Sequence, residues 1–264
     1  MKIVIKIGTS TLAYPDGKLN LRRTRRICEI VSDLKNAGNE VIIVTSGAIG
    51  MGSGKLGLPG RPSDIATKQA AAAVGQCELM YTYDRIFSEY GHTVAQILLT
   101  ASDFLSEERH KNFENTVVRL LELGAIPVIN ENDTVATDEI RLGDNDTLSA
   151  QVAVSVRADL LVILSDIDGL YTADPRSDSS ARLITLVERI DGDILKLAGD
   201  SSSGLGTGGM RTKLSAAALC LENGCDTAIC NGAAPEKLYD IIEGKNTGYT
   251  LFSAGGRTEG PKND

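Results

Sequence analysis

The stretch Met1-Lys2-Ile3-Val4-Ile5-Lys6-Ile7-Gly8-Thr9-Ser10 opens the chain and decides its fold class. A run of β-branched residues is interrupted by one lysine and ends in a glycine turn, a pattern typical of a strand buried on both faces. A helix-like segment follows from Arg22 to Ala37, with Gly38 suited to its C-terminal cap. The second apolar run, Val41 to Val44, then predicts another strand.

This alternation of strand and helix continues along the chain. Further strands are predicted at Thr93–Leu99, Ile126–Ile129, Leu160–Leu164 and Thr227–Cys230. Further helices are predicted at about 64–89, with Ser63 as N-cap, and at 115–123, 147–157, 212–223 and 235–243. Unbroken Val/Ile/Leu strands between helices indicate an α/β fold, with a mostly parallel sheet covered on both faces.

Composition excludes several classes of function. The 264 residues carry a net charge of −8, which argues against a nucleic-acid partner because such proteins usually present a basic face. No window approaches the roughly 18 consecutive apolar residues of a membrane span, and the first apolar run is too short for a signal peptide. Five cysteines without a Cys-x-x-Cys pair indicate reduced thiols, and two isolated histidines argue against zinc. A cytoplasmic location is therefore expected.

Ligands of open α/β sheets bind beyond the carboxyl ends of the strands. Four polar turns follow predicted strands at this edge of the sheet. They are Lys6-Ile7-Gly8-Thr9-Ser10, Thr45-Ser46-Gly47-Ala48-Ile49-Gly50, Asn130-Glu131-Asn132-Asp133 and Ser165-Asp166-Ile167-Asp168-Gly169. The candidate site is predicted where these turns meet.

Two of these turns allow more than one interpretation. Lys6 is either a lysine whose stem lies along apolar surface or an ammonium group that, with nearby backbone amides, binds a phosphate. The turn after the second strand is either a helix start capped by Ser46 or an anion nest in which Gly47 lets the backbone approach a ligand. The residues alone leave both pairs open.

Two later segments are also candidates for anion binding. The glycine-rich run Gly204-Leu205-Gly206-Thr207-Gly208-Gly209 leads into a helix with Lys213 near its start, where a cation gains nothing from the helix dipole. A flexible surface loop is the alternative, and a dinucleotide fingerprint is improbable because no strand precedes the run. Gly143-Asp144-Asn145-Asp146 opens another helix; its acids can cap that helix, bridge two lysines or bind magnesium.

Together these segments resemble the amino-acid kinase family, in particular its members that phosphorylate glutamate. The resemblance runs in order from about Met1 to Gly256. Its remaining pieces are Val44–Ile49, Val128–Asp133 and Gly169-Leu170-Tyr171-Thr172-Ala173-Asp174-Pro175-Arg176. The ordered set of motifs is specific, whereas any one of them is not.

The resemblance implies a three-layer αβα sandwich of the carbamate kinase-like type and transfer of the γ-phosphoryl group of ATP to the side-chain carboxylate of L-glutamate. Magnesium would accompany the ATP, and no separate protein metal site is expected. The product would be L-glutamyl 5-phosphate, the first intermediate of proline biosynthesis. Proline as feedback inhibitor and a homo-oligomer, dimer or tetramer, are further implied partners, without nucleic acid or membrane.

The resemblance also assigns roles to individual positions. Lys6, Asp146 and Lys213 are implied to be catalytic, with Asp146 organising the two lysines. Ser46, Gly47, Asp133 and Asn145 are implied to bind the substrate, and a carboxylate at Asp133 suits a free α-ammonium group better than an acylated amine. The implied ATP site comprises Lys6, Gly8, Ser165, Asp166, Thr207, Gly208, Gly209, Met210, Arg211, Thr212 and Lys213.

The chain is expected to form one kinase domain, residues 1–256, followed by a polar tail at 257–264. Within it, an acceptor-binding lobe of about 1–158 and a nucleotide-binding lobe of about 159–256 are predicted. The resemblance also implies that many family members carry an additional C-terminal PUA domain, which this chain is expected to lack. A non-catalytic nucleotide sensor on the same fold is the rival function, and the presence of Lys6, Asp146 and Lys213 together argues against it.

Overall fold

One mixed sheet organises the computed structural model, which describes residues 1–14, 18–60, 62–135, 145–198, 209–245 and 247–253. Its strands are β1 (Lys2–Ile7), β2 (Glu40–Val44), β3 (Val94–Leu99), β4 (Ile126–Glu131), β5 (Leu160–Ser165), β6 (Leu186–Val187), β7 (Asp226–Asn231) and β8 (Thr250–Phe252). Their order across the sheet is β3-β4-β2-β1-β5-β7-β8-β6. The prediction of an open, mainly parallel sheet is confirmed: β7 and β8 pair antiparallel, and the other neighbouring pairs are parallel.

Helices connect the strands and cover both faces of the sheet. They are α1 (Thr9–Leu12), α2 (Leu21–Asn36), α3 (Ala48–Lys55), α4 (Ile65–Ser88), α5 (Ala101–Leu105), α6 (Glu107–Glu122), α7 (Asn145–Ser155), α8 (Gly192–Leu197), α9 (Met210–Glu222) and α10 (Lys237–Ile242). The predicted cap Ser63 is wrong, because the Asp64 side chain accepts the backbone N–H of Thr67 and caps α4. Gly38 follows α2 with a φ of 88°, as its predicted capping position requires.

Alternation along β1 divides the core into two clusters. Ile3, Ile5 and Ile7 pack with α2, α4 and α10 on one face of the sheet. Val4 points to the other face, where α6, α7 and α9 pack. Lys6 follows the same alternation as Val4, so its side chain emerges on the face that α7 and α9 cover.

Helices α3 and α4 cross without room for side chains between them. A Cβ atom at Gly52 would lie 1.7 Å from the backbone oxygen of Ala71, and one at Gly75 would lie 1.8 Å from the backbone oxygen of Ala48. Glycine is therefore required at both positions for the backbones to come this close. The crossing fixes α3, and with it the turn at the end of β2, against the long helix α4.

Within the part of the chain that the structure describes, no helix combines the length and the apolar character needed to cross a bilayer.

We predict that Gly52→Ala lowers the free energy of unfolding by about 2 kcal/mol or more, because the methyl group overpacks the helix crossing. Gly54→Ala in the same helix is the matched control, since a Cβ there meets no atom within 4 Å. The control is expected to be neutral or to stabilise by up to about 1 kcal/mol, the gain of alanine over glycine in a helix. Urea denaturation measures both; equal effects of the two substitutions would contradict the crossing as described.

Candidate active site

Three charged side chains meet at the carboxyl edge of the sheet. The ammonium nitrogen of Lys6 lies 2.7 Å from Oδ1 of Asp146, and that of Lys213 lies 3.0 Å from Oδ2. The hydroxyl of Thr212 also contacts Oδ2, at 2.9 Å. Asp146 is fully buried, and both lysines are less than a tenth exposed. The predicted catalytic residues therefore form one buried ion cluster.

The fold explains why these three residues converge. Lys6 is the penultimate residue of β1, the strand between β2 and β5, and its side chain emerges on the face that α7 and α9 cover. Asp146 stands in the first turn of α7, and Lys213 stands near the start of α9. Both helices begin at the carboxyl edge and pack against each other, which places the aspartate between the two lysines.

Electrostatics fix the charge state of Asp146. Burial alone would raise the pKa of its carboxyl group, but the charges of Lys6 and Lys213, and their hydrogen bonds to it, outweigh burial. They hold the pKa well below its usual range, so Asp146 is ionised at neutral pH. Because both carboxylate oxygens contact cations, Asp146 does not fit the role of a magnesium ligand.

Within the described ranges, no group of three or more His, Cys, Asp or Glu side chains is close enough to hold a metal ion.

A second polar group lies beside the cluster, at the ends of β2 and β4. The side-chain amide nitrogen of Asn145 contacts the backbone oxygen of Thr45 at 2.5 Å, Oγ of Ser46 at 3.1 Å and Oδ1 of Asn130 at 3.0 Å. Gly47, with a φ of 93°, is the N-cap of α3 and leaves the helix without a side-chain cap. Ser46 is therefore not a capping serine, and of the two interpretations of this turn the simple cap is wrong.

Two further predicted residues border this region. Gly8 lies directly over Lys6: a Cβ atom there would stand 3.3 Å from the ammonium nitrogen and 3.4 Å from the backbone oxygen of Leu164. Because Gly8 has no side chain, the ammonium group of Lys6 can lie close to the turn between β1 and α1. Asp133 lies half-buried in the turn that follows β4, on the same edge of the sheet.

A cavity of about 300 Å³ opens on the other side of Lys213. This volume is at the lower end of the range of small-molecule sites, roughly 300–1,000 Å³. The lining residues are Ser165, Asp166, Ile167, Leu170, Tyr171, Thr172, Ala173, Asp174, Pro175, Arg176, Lys196, Leu197, Ala198, Gly209, Met210 and Lys213. The predicted ATP-site residues Ser165, Asp166, Gly209, Met210 and Lys213 are thus brought together.

The structure places the other predicted ATP-site residues differently. Thr212 contacts Asp146, and Arg211 is exposed; the cavity lining includes neither of them. Thr207 and Gly208 lie outside the described residues, as do most of the glycine-rich run and Gly143-Asp144.

Some residues of the site were not found from the sequence. Residues 196–198 line the cavity although they belong to the short helix α8 and its end, which periodicity does not reveal. Gln76 belongs to the polar group around Asn145, since its Oε1 accepts from Nδ2 of Asn130 at 2.8 Å, whereas Asn130 itself stands in one of the four predicted turns. One available indication was Gln76 itself, a polar residue in the apolar stripe of α4 formed by Ala72, Leu79 and Tyr83.

Comparisons with known proteins identify the family of this chain. The model of the amino acid kinase family matches residues 1–231, so the chain belongs to that family. A glutamate 5-kinase from Clostridium tetani is 52% identical over 252 residues, which are 96% of this chain and 94% of the relative. A glutamate 5-kinase from Clostridium perfringens is 50% identical, with 96% and 95% covered. The UMP kinase from Bacillus anthracis shares the fold, with a TM-score of 0.64 at 16% identity over 97% of this chain and 96% of that one.

We predict that Asp146→Asn lowers the free energy of unfolding by about 3 kcal/mol or more, because it leaves two buried ammonium groups without their counter-charge. The folded-state pKa of Asp146 is below its ordinary value of 3.8, so the ionised carboxylate stabilises the fold above that pH. The difference between wild type and variant should be constant from pH 8 to about 5 and shrink as the pH falls below about 4.

Thermal unfolding of both proteins between pH 8 and 3 measures this difference. Asp193→Asn is the matched control, because Asp193 is 87% exposed and pairs with Lys196 at the surface. Its effect should be near zero at every pH. A variant at position 146 as stable as wild type at pH 7 would contradict the described cluster.

Proposed function

We propose that this chain transfers the γ-phosphoryl group of ATP to the side-chain carboxylate of L-glutamate and forms L-glutamyl 5-phosphate, the first step of proline biosynthesis. One observation carries the proposal: Asp146 holds two buried lysines together at the carboxyl edge, between a cavity and a separate polar group. Relatives about half identical over nearly the whole chain are glutamate 5-kinases, which supports glutamate as the acceptor.

The cavity at Lys213 is proposed to hold ATP, as donor substrate, with its phosphates directed towards the lysines. The polar group with Ser46, Gly47 and Asn145 is proposed to hold glutamate, with Asp133 near its α-ammonium group. The cavity lining lies after residue 158 and the polar group lies before it, in support of a nucleotide-binding lobe at about 159–256 and an acceptor-binding lobe at about 1–158.

The reaction requires little covalent chemistry from the protein. A glutamate side chain is already ionised at neutral pH, so no general base has to remove a proton. A carboxylate oxygen forms a bond to the γ-phosphorus as the bond to the β,γ-bridging oxygen breaks, and ADP leaves with that electron pair. The ammonium groups of Lys6 and Lys213 would neutralise charge on the equatorial oxygens of the group in transfer.

Magnesium is proposed to enter with ATP and to neutralise phosphate charge. Its ligands would be phosphate oxygens and water, since both oxygens of Asp146 already contact lysines. Proline is proposed as a feedback inhibitor, because its carboxylate and secondary ammonium group can use the same polar contacts as glutamate. Assembly into a dimer or tetramer belongs to the proposal on the strength of the family resemblance.

We predict ADP release that requires glutamate when the protein is given ATP, Mg²⁺ and one acceptor at a time. Glutamate, aspartate, N-acetylglutamate, carbamate and UMP form the panel, and a coupled assay measures ADP. N-acetylglutamate should be inactive, since a carboxylate at Asp133 suits a free α-ammonium group. Nucleotide binding without ADP release for any acceptor would instead indicate a non-catalytic sensor. ADP release with another acceptor, and not with glutamate, would identify that acceptor as the substrate.

We predict that Lys6→Met or Lys213→Met lowers kcat by about 10²–10⁴-fold, the range seen when one donor to a charged transition state is removed. Methionine keeps the apolar stem of lysine and removes only the ammonium group. Lys111→Met is the control, because Lys111 is 67% exposed and pairs with Glu114 at the surface. Circular dichroism should show all three variants folded; a near-normal kcat in either site variant would exclude the proposed role of that lysine.

A further inference from the structure

A chain of three buried amides runs from helix α4 to the proposed acceptor site. Oε1 of Gln76 accepts from Nδ2 of Asn130 at 2.8 Å, and Oδ1 of Asn130 accepts from Nδ2 of Asn145 at 3.0 Å. Nδ2 of Asn145 also donates to the backbone oxygen of Thr45 at 2.5 Å. Gln76 and Asn145 are 8% exposed and Asn130 is 2% exposed, so the contacts are shielded from water.

The backbone oxygen of Thr45 decides the orientation of all three amides. A carbonyl oxygen only accepts, so the nitrogen of the Asn145 amide must face it. A flipped Asn130 would oppose this nitrogen with a second donor, so Oδ1 of Asn130 faces it and the nitrogen of Asn130 is directed to the oxygen of Gln76. Each amide therefore has one orientation. Gln76 ends the chain of hydrogen bonds by offering Oε1 as the acceptor for Asn130.

The orientation leaves one acceptor of Asn145 for a ligand. Its Oδ1 is buried and has no hydrogen-bond partner among the described residues. Leaving a buried acceptor without a partner is costly, so such an atom is expected to meet a donor when the site is filled. Glutamate offers a single group with strong donors, its α-ammonium group, whereas its two carboxylates only accept at neutral pH.

We propose that Gln76 is a positioning residue for the acceptor substrate: acting through Asn130, it holds the Asn145 amide with its oxygen towards the α-ammonium group of glutamate. This inference rests on the proposed function and assigns Gln76 a role in glutamate affinity, not in phosphoryl transfer. Without an acceptor at position 76, Nδ2 of Asn130 loses its partner, and only the contact with Asn145 still holds the Asn130 side chain. Asn145 keeps the orientation that Thr45 sets, but its oxygen is then positioned less firmly towards the substrate.

The test compares Gln76→Leu with Gln76→Glu. Leucine removes the acceptor and also the Nε2 donor of Gln76, which is buried and has no partner within the described residues, so the fold should tolerate it. Glutamate at position 76 keeps an oxygen towards Asn130 in either protonation state. Thr82→Ala is the control for a change within α4, because the buried Thr82 hydroxyl donates only to the backbone oxygen of Glu78 one turn earlier.

Steady-state kinetics should separate the variants. Gln76→Leu is expected to raise KM for glutamate roughly tenfold, the equivalent of one net hydrogen bond, with KM for ATP unchanged and kcat within about threefold of wild type. Gln76→Glu should restore KM for glutamate to within about threefold, and Thr82→Ala should change neither KM.

Three results would overturn the inference. They are an unchanged KM for glutamate in Gln76→Leu, an equal defect in Gln76→Glu, and parallel rises in the KM values of both substrates, which would indicate a structural effect alone. A wild-type protein without glutamate-dependent ADP release would overturn the proposed function itself, so the two failures are distinguishable.

Discussion

The ion cluster of Asp146 with Lys6 and Lys213 is the constraint on which the rest of the site depends. Two ammonium groups repel each other, and removing both from water is costly, so they stay together only with a buried counter-charge between them. Asp146 supplies that charge, with one oxygen for each lysine. A cation pair of this kind is suited to a ligand whose negative charge spreads over several oxygens, as it does on a phosphoryl group in transfer.

The architecture follows from what this cluster requires. The lysines are separated by most of the chain, yet β1 occupies the middle of the sheet and α9 begins at the same edge. Parallel strands bring every strand-to-helix turn to that edge, so residues distant in sequence meet there without long connections. The alternation of side chains along β1 then decides on which face of the sheet Lys6 lies. A shift of one residue would turn Lys6 to the opposite face, against α2 and α4.

Much of this arrangement could be predicted from the sequence, for identifiable reasons. Long apolar strands such as β1 and β5 show a clear hydrophobic pattern. The contact of Asp146 with both lysines was implied by the family resemblance, which rests on motifs in a fixed order. The two-residue strand β6 and the three-residue strand β8 are too short to show a period. Asp64, not Ser63, caps α4, because either residue type suits a cap and only the backbone decides between neighbours. Gln76 was missed because a side chain's hydrogen bonds across 54 residues depend on tertiary packing that no local pattern encodes.

The ionisation state of Asp146 also bears on which class of acceptor substrate the site can phosphorylate. With its pKa held low and both oxygens in contact with cations, this carboxylate is a poor base for a substrate proton and a poor ligand for a metal ion. An alcohol acceptor needs a base to remove its proton during transfer, whereas a carboxylate acceptor arrives deprotonated. Within the described residues, the centre of the site therefore supplies charge and position instead of proton transfer. Those requirements are met by an acceptor that arrives deprotonated, such as a carboxylate, and the electrostatics of the cluster thus favour such an acceptor over an alcohol.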